Sequence, residues 1–377
     1  MKYSCVQWND LPDEILMIIL KNLTNAEVLY SLLGVNKRLN NIAVDPVFTN
    51  NLSLVMSTSD GLVYSLSDPI LDRFCLYILP KIHQNIEWLH LQSRSMERIL
   101  RATNFPNLYG ISLHNIQAKT AIDLFTEQTT VIHTLKKQLL SFIIDISTKG
   151  TECYKRDNNA IIFNHILTMF TNLQYLNFDR SSIYDDRLFF CMRRPTVVST
   201  NLLELHVSLH TFDDCLYLLD GHFNQLHSLY VDVTNNFPGG IFKSVHQVSL
   251  FDERPFEHEF FLQSAQSFPF LEKLYECNHE RQMYKECSKS IIKYPYLKQL
   301  DIICTCKDYH KQFLFDTKTC LSFDVHVSMD YELVKQVTCN FTRIKFVGDP
   351  ENFCGETREL SQHIKSYSPR TQINCLL

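Results

Sequence analysis

The sequence predicts an α/β protein in which a small three-helix N-terminal unit precedes an irregular solenoid of strand-plus-helix repeats. Three observations lead to this fold class. The N-terminal segment contains three short helical patterns of apolar residues. A phrase of the form apolar-x-x-apolar-x-apolar recurs through most of the remaining chain. Helix-like segments separate the phrases, so each repeat combines a short strand with a helix.

The first predicted helix is apolar around most of its circumference. Pro12 suits its first turn, and Asp13 and Glu14 favour the helix N-terminus through the helix dipole. Six consecutive apolar residues follow, from Ile15 to Leu20. A surface helix normally has a single apolar stripe, so this run indicates a helix covered on more than one side. Because a unit of ~40 residues is too small to bury so much apolar surface alone, the excess favours a partner.

Start and stop signals define the next two helices. Thr24 and Glu27 have the spacing of a capping box at the start of the second helix. Gly34 is suited to end that helix. The third helix is indicated by an apolar stripe that includes Leu39 and Ile42.

These residues resemble the F-box family over positions 8 to about 50. The family pattern is found at Leu11-Pro12, Ile15 to Leu20, Thr24, Leu29 to Leu33, Val35-Asn36-Lys37-Arg38 and Asp45-Pro46. Two positions depart from it, since Asn36 replaces the usual Cys and Leu39 replaces the usual Trp.

The resemblance implies docking on a Skp-type adaptor, and through it on a cullin scaffold, in an SCF-type ubiquitin ligase. The adaptor-facing positions of the family correspond to Leu11, Pro12, Ile15, Leu16, Ile19, Leu23, Leu32, Val35 and Leu39. The residues themselves leave open whether most of these belong to the core of the unit. The interface is favoured for Leu11, Pro12 and Ile15, which precede the helical body and have the least core behind them.

The repeated phrase divides the rest of the chain. It occurs at positions beginning with Ile86, Leu108, Leu139, Leu173, Leu202, Leu226, Val245, Leu271 and Leu297, and a last copy is formed by Phe341, Ile344 and Phe346. The starts are mostly separated by about 19 to 34 residues, which brackets the period of leucine-rich repeats. The predicted domains are therefore an F-box at 5–50, a transition at 51–80, a degenerate leucine-rich-repeat-like domain at 81–350 and a C-terminal tail at 351–377.

The array departs from the leucine-rich pattern, because the Asn or Cys that normally follows each strand is missing from most copies and the unit lengths vary. An irregular α/β domain is the alternative. An F-box followed by such an array resembles the F-box/leucine-rich class, in which the array selects the substrate protein. The residues expected on the exposed strand face are Trp88, His90, Tyr109, Ser112, Tyr175, Asn177, His206, His227 and Tyr230. Packing between repeats explains them equally well, so none is singled out as a site.

Composition limits the classes of partner. The net charge is −5 and no basic run is present, which argues against binding to nucleic acid or to an anionic membrane. No transmembrane segment or secretory signal is recognisable. Thirteen cysteines at irregular spacings indicate reduced thiols in a cytoplasmic or nuclear protein that is not secreted.

The sequence contains no recognisable catalytic motif. Cys304 and Cys306, with Cys277 nearby, do not have the spacing of a structural zinc site. Phosphate-binding loops and nucleophile elbows are also missing from the sequence. We therefore expect a non-catalytic subunit with no cofactor, no metal and an unknown protein substrate. The alternative is a leucine-rich scaffold or inhibitor whose N-terminal helices only cap the array.

Overall fold

The computed structural model describes residues 11–58, 63–126, 135–147, 157–178, 187–190, 198–209, 214–215, 218, 222–233, 241–251, 255–283, 290–314, 318–321, 325–330, 333 and 373–376. The chain divides into two compact units. The first unit contains residues 1–153 and 165–182, and the second contains residues 154–164 and 183–377.

Short helices open the first unit, at α1 (Asp13–Leu20), α2 (Asn25–Leu32), α3 (Lys37–Ala43) and α4 (Pro46–Thr49). The predicted capping box is confirmed: Thr24 Oγ1 accepts a hydrogen bond from the Glu27 backbone N–H at 3.2 Å, and the Thr24 N–H donates to the Glu27 carboxylate at 2.8 Å. Gly34 follows the end of α2 with a φ of 96°, as expected for a glycine that stops a helix. The core of this helical region is formed by Leu16, Leu20, Val28, Leu29, Ala43 and Phe48.

A parallel sheet follows in the first unit. Its strands, in spatial order, are β1 (Asn51–Ser53), β4 (Trp88–Gln92), β5 (Gly110–Gln117), β6 (Ser141–Ser147) and β7 (Tyr175–Phe178). Strands β2 (Val55–Ser57) and β3 (Val63–Ser65) form an antiparallel hairpin. The further helices are α5 (Asp68–Arg73), a π-helical turn (Phe74–Ile78), α6 (Leu79–Ile82), α7 (Ser93–Ala102) and α8 (Ala118–Thr126). Helix α9 (Asp157–Met169) contains residues that are assigned to both units.

The second unit contains its own run of parallel strands. In spatial order they are β8 (Glu204–Leu209), β9 (Ser228–Val233), β10 (Gln247–Phe251), β11 (Lys273–Cys277), β13 (Gln299–Asp301), β15 (His326–Asp330) and β16 (Ile373–Leu376). Strands β12 (Ile292–Tyr294) and β14 (Thr319–Leu321) pair separately. Helices α10 (His258–Ser267) and α11 (Lys307–Leu314) belong to the same unit.

The register of these strands explains why the apolar phrase recurs. Within each unit, the register places the same position of successive phrases side by side. In the first unit the aligned residues are Leu52, Leu89, Ile111, Phe142 and Leu176. In the second unit they are Leu205, Leu229, Val248, Leu274, Leu300 and Val327. All are buried, so each phrase contributes one residue to the apolar ladder of its own unit, and the predicted α/β class is confirmed.

The phrases that begin between Ile86 and Leu297 each overlap a strand of a parallel sheet. The last phrase, at Phe341, Ile344 and Phe346, lies outside the described residues. Among the strands described in the two main parallel runs, three were not expected from the sequence. Strand β1 lies in the segment predicted as a transition and has a single buried residue, Leu52, so it shows no alternation. Strand β15 does not match the phrase, because Asp324 occupies the first of its three apolar positions. Strand β16 lies in the predicted tail.

Candidate partner-binding surfaces

Helix α1 carries an exposed apolar face that we call the N-terminal apolar face and define by Ile15, Ile18 and Ile19. The exposed fractions of these residues are 42%, 62% and 38%. Their i, i+3, i+4 spacing places them along one side of the helix. Leu23 and Val35, which are 45% and 59% exposed, add aliphatic surface just after α1 and α2. A partner that covered this surface would gain roughly 25 cal/mol per Å² of apolar area.

The predicted adaptor-facing residues separate into two groups in the structure. Leu11 is half-buried, and Pro12, Ile15, Ile19, Leu23 and Val35 are exposed. Leu16, Leu32 and Leu39 are only 0%, 8% and 5% exposed, so they lie in the core and offer almost no surface to a partner. Ile18 was not among the predicted residues, although it lies in the same apolar run. Its separation of three residues from Ile15 was the signal that could have identified it.

An ion pair holds the start of α1 against α3. The Arg38 guanidinium lies 2.6 Å from Asp13 Oδ1, and it also donates to the Leu11 carbonyl. An exposed pair of this kind contributes about 1 kcal/mol or less to stability. Its contact with the Leu11 carbonyl nevertheless orients the Leu11-Pro12 segment beside the N-terminal apolar face.

Asn36, one of the two departures from the F-box pattern, has a local structural role. Its Oδ1 atom accepts a hydrogen bond from the Leu39 backbone N–H at 2.8 Å, which makes it the N-cap of α3. Leu39, the other departure, is buried. Both substitutions are therefore compatible with the helical fold of the region.

A second candidate surface lies on the polar side of the first unit's sheet, around Trp88. The Trp88 indole N–H donates to Ser112 Oγ at 2.9 Å. The Trp88 ring meets Tyr109 edge-on at 5.9 Å between centroids and lies 6.0 Å from the His90 ring. We call Trp88, His90, Tyr109 and Ser112 the tryptophan cluster. Tyr109 is 40% exposed and Ser112 is fully buried, so the cluster is a packed layer with an accessible aromatic edge.

Gly110 makes room for this cluster, because a Cβ at that position would overlap the Trp88 ring. We therefore expect Gly110→Ala to displace the indole and to lower the free energy of unfolding by about 1–3 kcal/mol. Trp88 and Trp8 are the two tryptophans of the chain, so a Trp8→Phe background allows Trp88 emission to be followed alone. The emission of Gly110→Ala should differ from that of the parent.

Gly34→Ala is the matched control for this prediction. Gly34 has a φ of 96° and no atom within 4 Å of its missing Cβ, so the substitution strains the backbone without touching a ring. It should lower stability and leave Trp88 emission unchanged. Identical emission spectra for Gly110→Ala and its parent would show that the indole does not lie over Gly110.

His90 in the tryptophan cluster and the neighbouring His114 are held in the neutral form. His90 and His114 stack with 6.0 Å between ring centroids. Burial, followed by the proximity of His114, lowers the pKa of His90 to about 4. Burial also lowers the pKa of His114, partly opposed by the carboxylate of Asp145. At neutral pH this surface is thus aromatic and polar without being cationic.

In the second unit, ring stacking and a hydrogen bond connect polar and aromatic side chains on neighbouring strands. The His206 ring stacks on Tyr230 at 3.9 Å, and His206 Nε2 lies 2.7 Å from Glu204 Oε1. The Gln247 side-chain amide donates to the Tyr230 hydroxyl at 2.5 Å. Four polar side chains on β8, β9 and β10 are therefore fixed before any partner binds, which reduces the entropic cost of association.

Of the other predicted face residues, Tyr175 and Asn177 are half-buried on β7 and His227 is exposed. The His227 ring stacks on His246 at 4.9 Å. The hydrogen bond that Lys298 donates lowers the pKa of the Glu272 carboxyl. Slight burial of Glu272 opposes this shift, and the electrostatic influence of Lys298, His246 and His227 adds to it. The structure thus places the predicted residues on the parallel strands of their own units, except Tyr109 and His227, which directly precede β5 and β9.

The sequence favours buried, reduced thiols over zinc ligands at Cys277, Cys304 and Cys306, and the structure corrects the burial, because all three are at least partly accessible. Cys304 is exposed, and Cys277 and Cys306 are half-buried. Within the described ranges, no group of three or more His, Cys, Asp or Glu side chains is arranged to hold a metal ion. The helices seen in those ranges are also too short or too polar to cross a bilayer.

Comparison with known proteins identifies the N-terminal region. A family model described as F-box-like matches residues 8–54. No curated protein matches the chain. Among solved structures, a chain from the crystal structure of the yeast Rad7 and Elc1 complex is 14% identical, with a TM-score of 0.42 over 96% of this chain and 85% of that chain. Residues 8–54, which include helices α1 to α4 and strand β1, are an F-box-like domain.

Proposed function

We propose that this protein is the substrate-recognition subunit of an SCF-type E3 ubiquitin ligase. The observation that carries the proposal is the exposed aliphatic surface of the F-box-like domain, where Ile15, Ile18 and Ile19 remain uncovered on α1. A domain that retains large aliphatic side chains at its surface is suited to a protein partner. The partner proposed is a Skp-type adaptor, which would connect the chain to a cullin scaffold.

The adaptor contact would use the exposed members of the predicted set, Pro12, Ile15, Ile19, Leu23 and Val35, together with the half-buried Leu11. Ile18 is added because it is the most exposed residue of the N-terminal apolar face. The Arg38 contact with the Leu11 carbonyl supports this surface by fixing the segment that precedes α1. Leu16, Leu32 and Leu39 act beneath it as core.

The remaining chain is proposed to be a degenerate leucine-rich solenoid that binds the target protein. The aligned apolar ladder in each unit supports repeated strand-plus-helix packing. The polar strand faces, with their preorganised Trp88 and Tyr230, provide aromatic anchors of the kind common at protein interfaces. The subunit would perform no bond chemistry itself. It would increase the rate of ubiquitin transfer by holding the substrate close to the conjugating enzyme.

A binding experiment with the full chain tests the adaptor contact. Wild-type protein should be retained by an immobilised Skp-type adaptor, and Leu11→Ala/Pro12→Ala should be retained much less, because it removes apolar contacts from the exposed start of α1. A circular dichroism melt of both proteins distinguishes loss of the surface from loss of the fold. Failure of the folded wild-type chain to bind any Skp-type adaptor would refute the proposal.

A second function, a scaffold or inhibitor whose N-terminal helices cap the array, is favoured by one contact. The Asn25 side-chain amide donates to the Asn51 carbonyl at 2.7 Å, which attaches α2 to the first strand of the sheet. A cap of this kind predicts aggregation when residues 1–60 are deleted, with no adaptor bound by the wild-type chain. Adaptor binding by the intact protein therefore separates the two functions.

A further inference from the structure

Cys277 is the last residue of β11, and Cys304 lies in the turn that follows the neighbouring strand β13. Asn278 forms a parallel bridge with Thr305. Its N–H donates to the Cys304 carbonyl at 2.9 Å, and its carbonyl accepts from the Cys306 N–H at 3.1 Å. Cys277 and Cys304 directly precede the two bridged residues, because the pairing at the bridge is shifted by one residue from that of β11 with β13. Paired residues of neighbouring strands are about 4.8 Å apart, which lies within the Cα separation that a disulfide spans.

The two thiols also contact each other and differ in accessibility. A hydrogen bond joins the Cys277 and Cys304 side chains. Cys304 is exposed and Cys277 is half-buried. Burial, reinforced by Cys304, raises the pKa of Cys277 to about 11, so Cys277 is held as a thiol. Cys306 is engaged elsewhere, because its Sγ donates to the Glu280 carbonyl at 3.3 Å.

We propose that Cys277 and Cys304 are a modification site at which a peroxide-class oxidant forms a disulfide. In the first step, the Cys304 sulfur attacks one oxygen of hydrogen peroxide, the O–O bond breaks, and a sulfenic acid and one water are formed. In the second step, the Cys277 sulfur attacks the sulfenic sulfur and the hydroxyl leaves as a second water. Two thiols are oxidised by two electrons, and one peroxide is reduced to two waters.

The site is independent of the proposed ligase function, because its product is a covalent bond within this chain. Cys277 pairs with Phe251, and these two residues are the last of strands β11 and β10. The disulfide would connect the end of β11 to the turn that follows β13, and it would remove the exposed Cys304 thiol from the surface. A thiol pair of this kind is compatible with a reducing compartment, where disulfides are usually transient and redox-sensing.

Peptide mapping of the full chain tests the proposal directly. The folded protein is treated with hydrogen peroxide, its remaining thiols are alkylated, and it is digested with trypsin without reductant. Cleavage after Lys273, Arg281, Lys298 and Lys307 yields peptides 274–281 and 299–307. With Cys306 alkylated, we expect them as one linked product whose mass is two hydrogens below the sum of the two peptides, and reductant should release both.

Two serine variants assign the sulfurs, because peptide 299–307 contains both Cys304 and Cys306. Cys304→Ser should abolish the linked product, whereas Cys306→Ser should retain it. Cys320→Ser, at another exposed thiol, controls for oxidation in general, and near-ultraviolet circular dichroism verifies that each variant is folded. The proposal is overturned if Cys304 stops at sulfenic or sulfinic acid, if it pairs with Cys306, or if Cys277 pairs with any other cysteine.

Discussion

Ile15→Asp/Ile18→Asp should weaken binding to a Skp-type adaptor by about 100-fold or more, without unfolding the protein. The physical reason is that each substitution replaces an aliphatic side chain of the N-terminal apolar face with a carboxylate, which an apolar interface can bury only at high cost. Ile15 is already 42% exposed and Ile18 62% exposed, so we expect the folded chain to tolerate the change. Isothermal titration calorimetry with purified adaptor measures the affinity.

Met56→Asp is the matched control for this experiment. Met56 is 50% exposed, similar to Ile15, but it lies on β2 and outside the F-box-like residues 8–54. It should bind the adaptor with the affinity of the wild type. Equal affinities for the double variant and Met56→Asp would exclude the N-terminal apolar face as the contact surface, even if the adaptor binds elsewhere on the chain.

The parts of the fold that follow from local signals could be predicted from the sequence. The capping pair Thr24 and Glu27 and the stop at Gly34 define α2 without reference to the rest of the molecule. The strands of the repeats could be located for a related reason, since every phrase places an apolar residue at the same register position. Short strands such as β1 could not be located, because one buried leucine gives no periodicity.

The candidate surfaces were less predictable, because exposure depends on which side of a helix meets the core. Ile15 and Leu16 are adjacent in the sequence, yet the first is 42% exposed and the second is fully buried. Both belong to one apolar run, whose composition does not distinguish them. The tryptophan cluster likewise depends on Gly110 in the next strand, a contact that sequence spacing alone does not reveal.

Glu276→Leu should raise the free energy of unfolding by about 2–4 kcal/mol at neutral pH. Glu276 lies on β11, two residues after the buried Leu274, so it faces the same apolar side of the sheet. It is 3% exposed. Within the described part of the chain, neither of its carboxylate oxygens has a hydrogen-bond partner. Leucine fills a similar volume without a polar group to desolvate, and urea denaturation of the full chain measures the difference.

The pH dependence of Glu276→Gln determines whether the buried group is a neutral acid. Burial raises the pKa of Glu276 well above its ordinary value of 4.5. When the pH is above the ordinary pKa but below the raised one, the unfolded chain has lost the Glu276 proton while the folded chain keeps it. In this range the wild type loses up to about 1.4 kcal/mol of stability per pH unit. Glutamine cannot ionise and lacks this loss. The stability advantage of Glu276→Gln should therefore be small near about pH 5 and larger near about pH 8. A constant difference, or a wild type that gains relative stability as the pH rises, would mean that the carboxylate is ionised and paired in the folded protein.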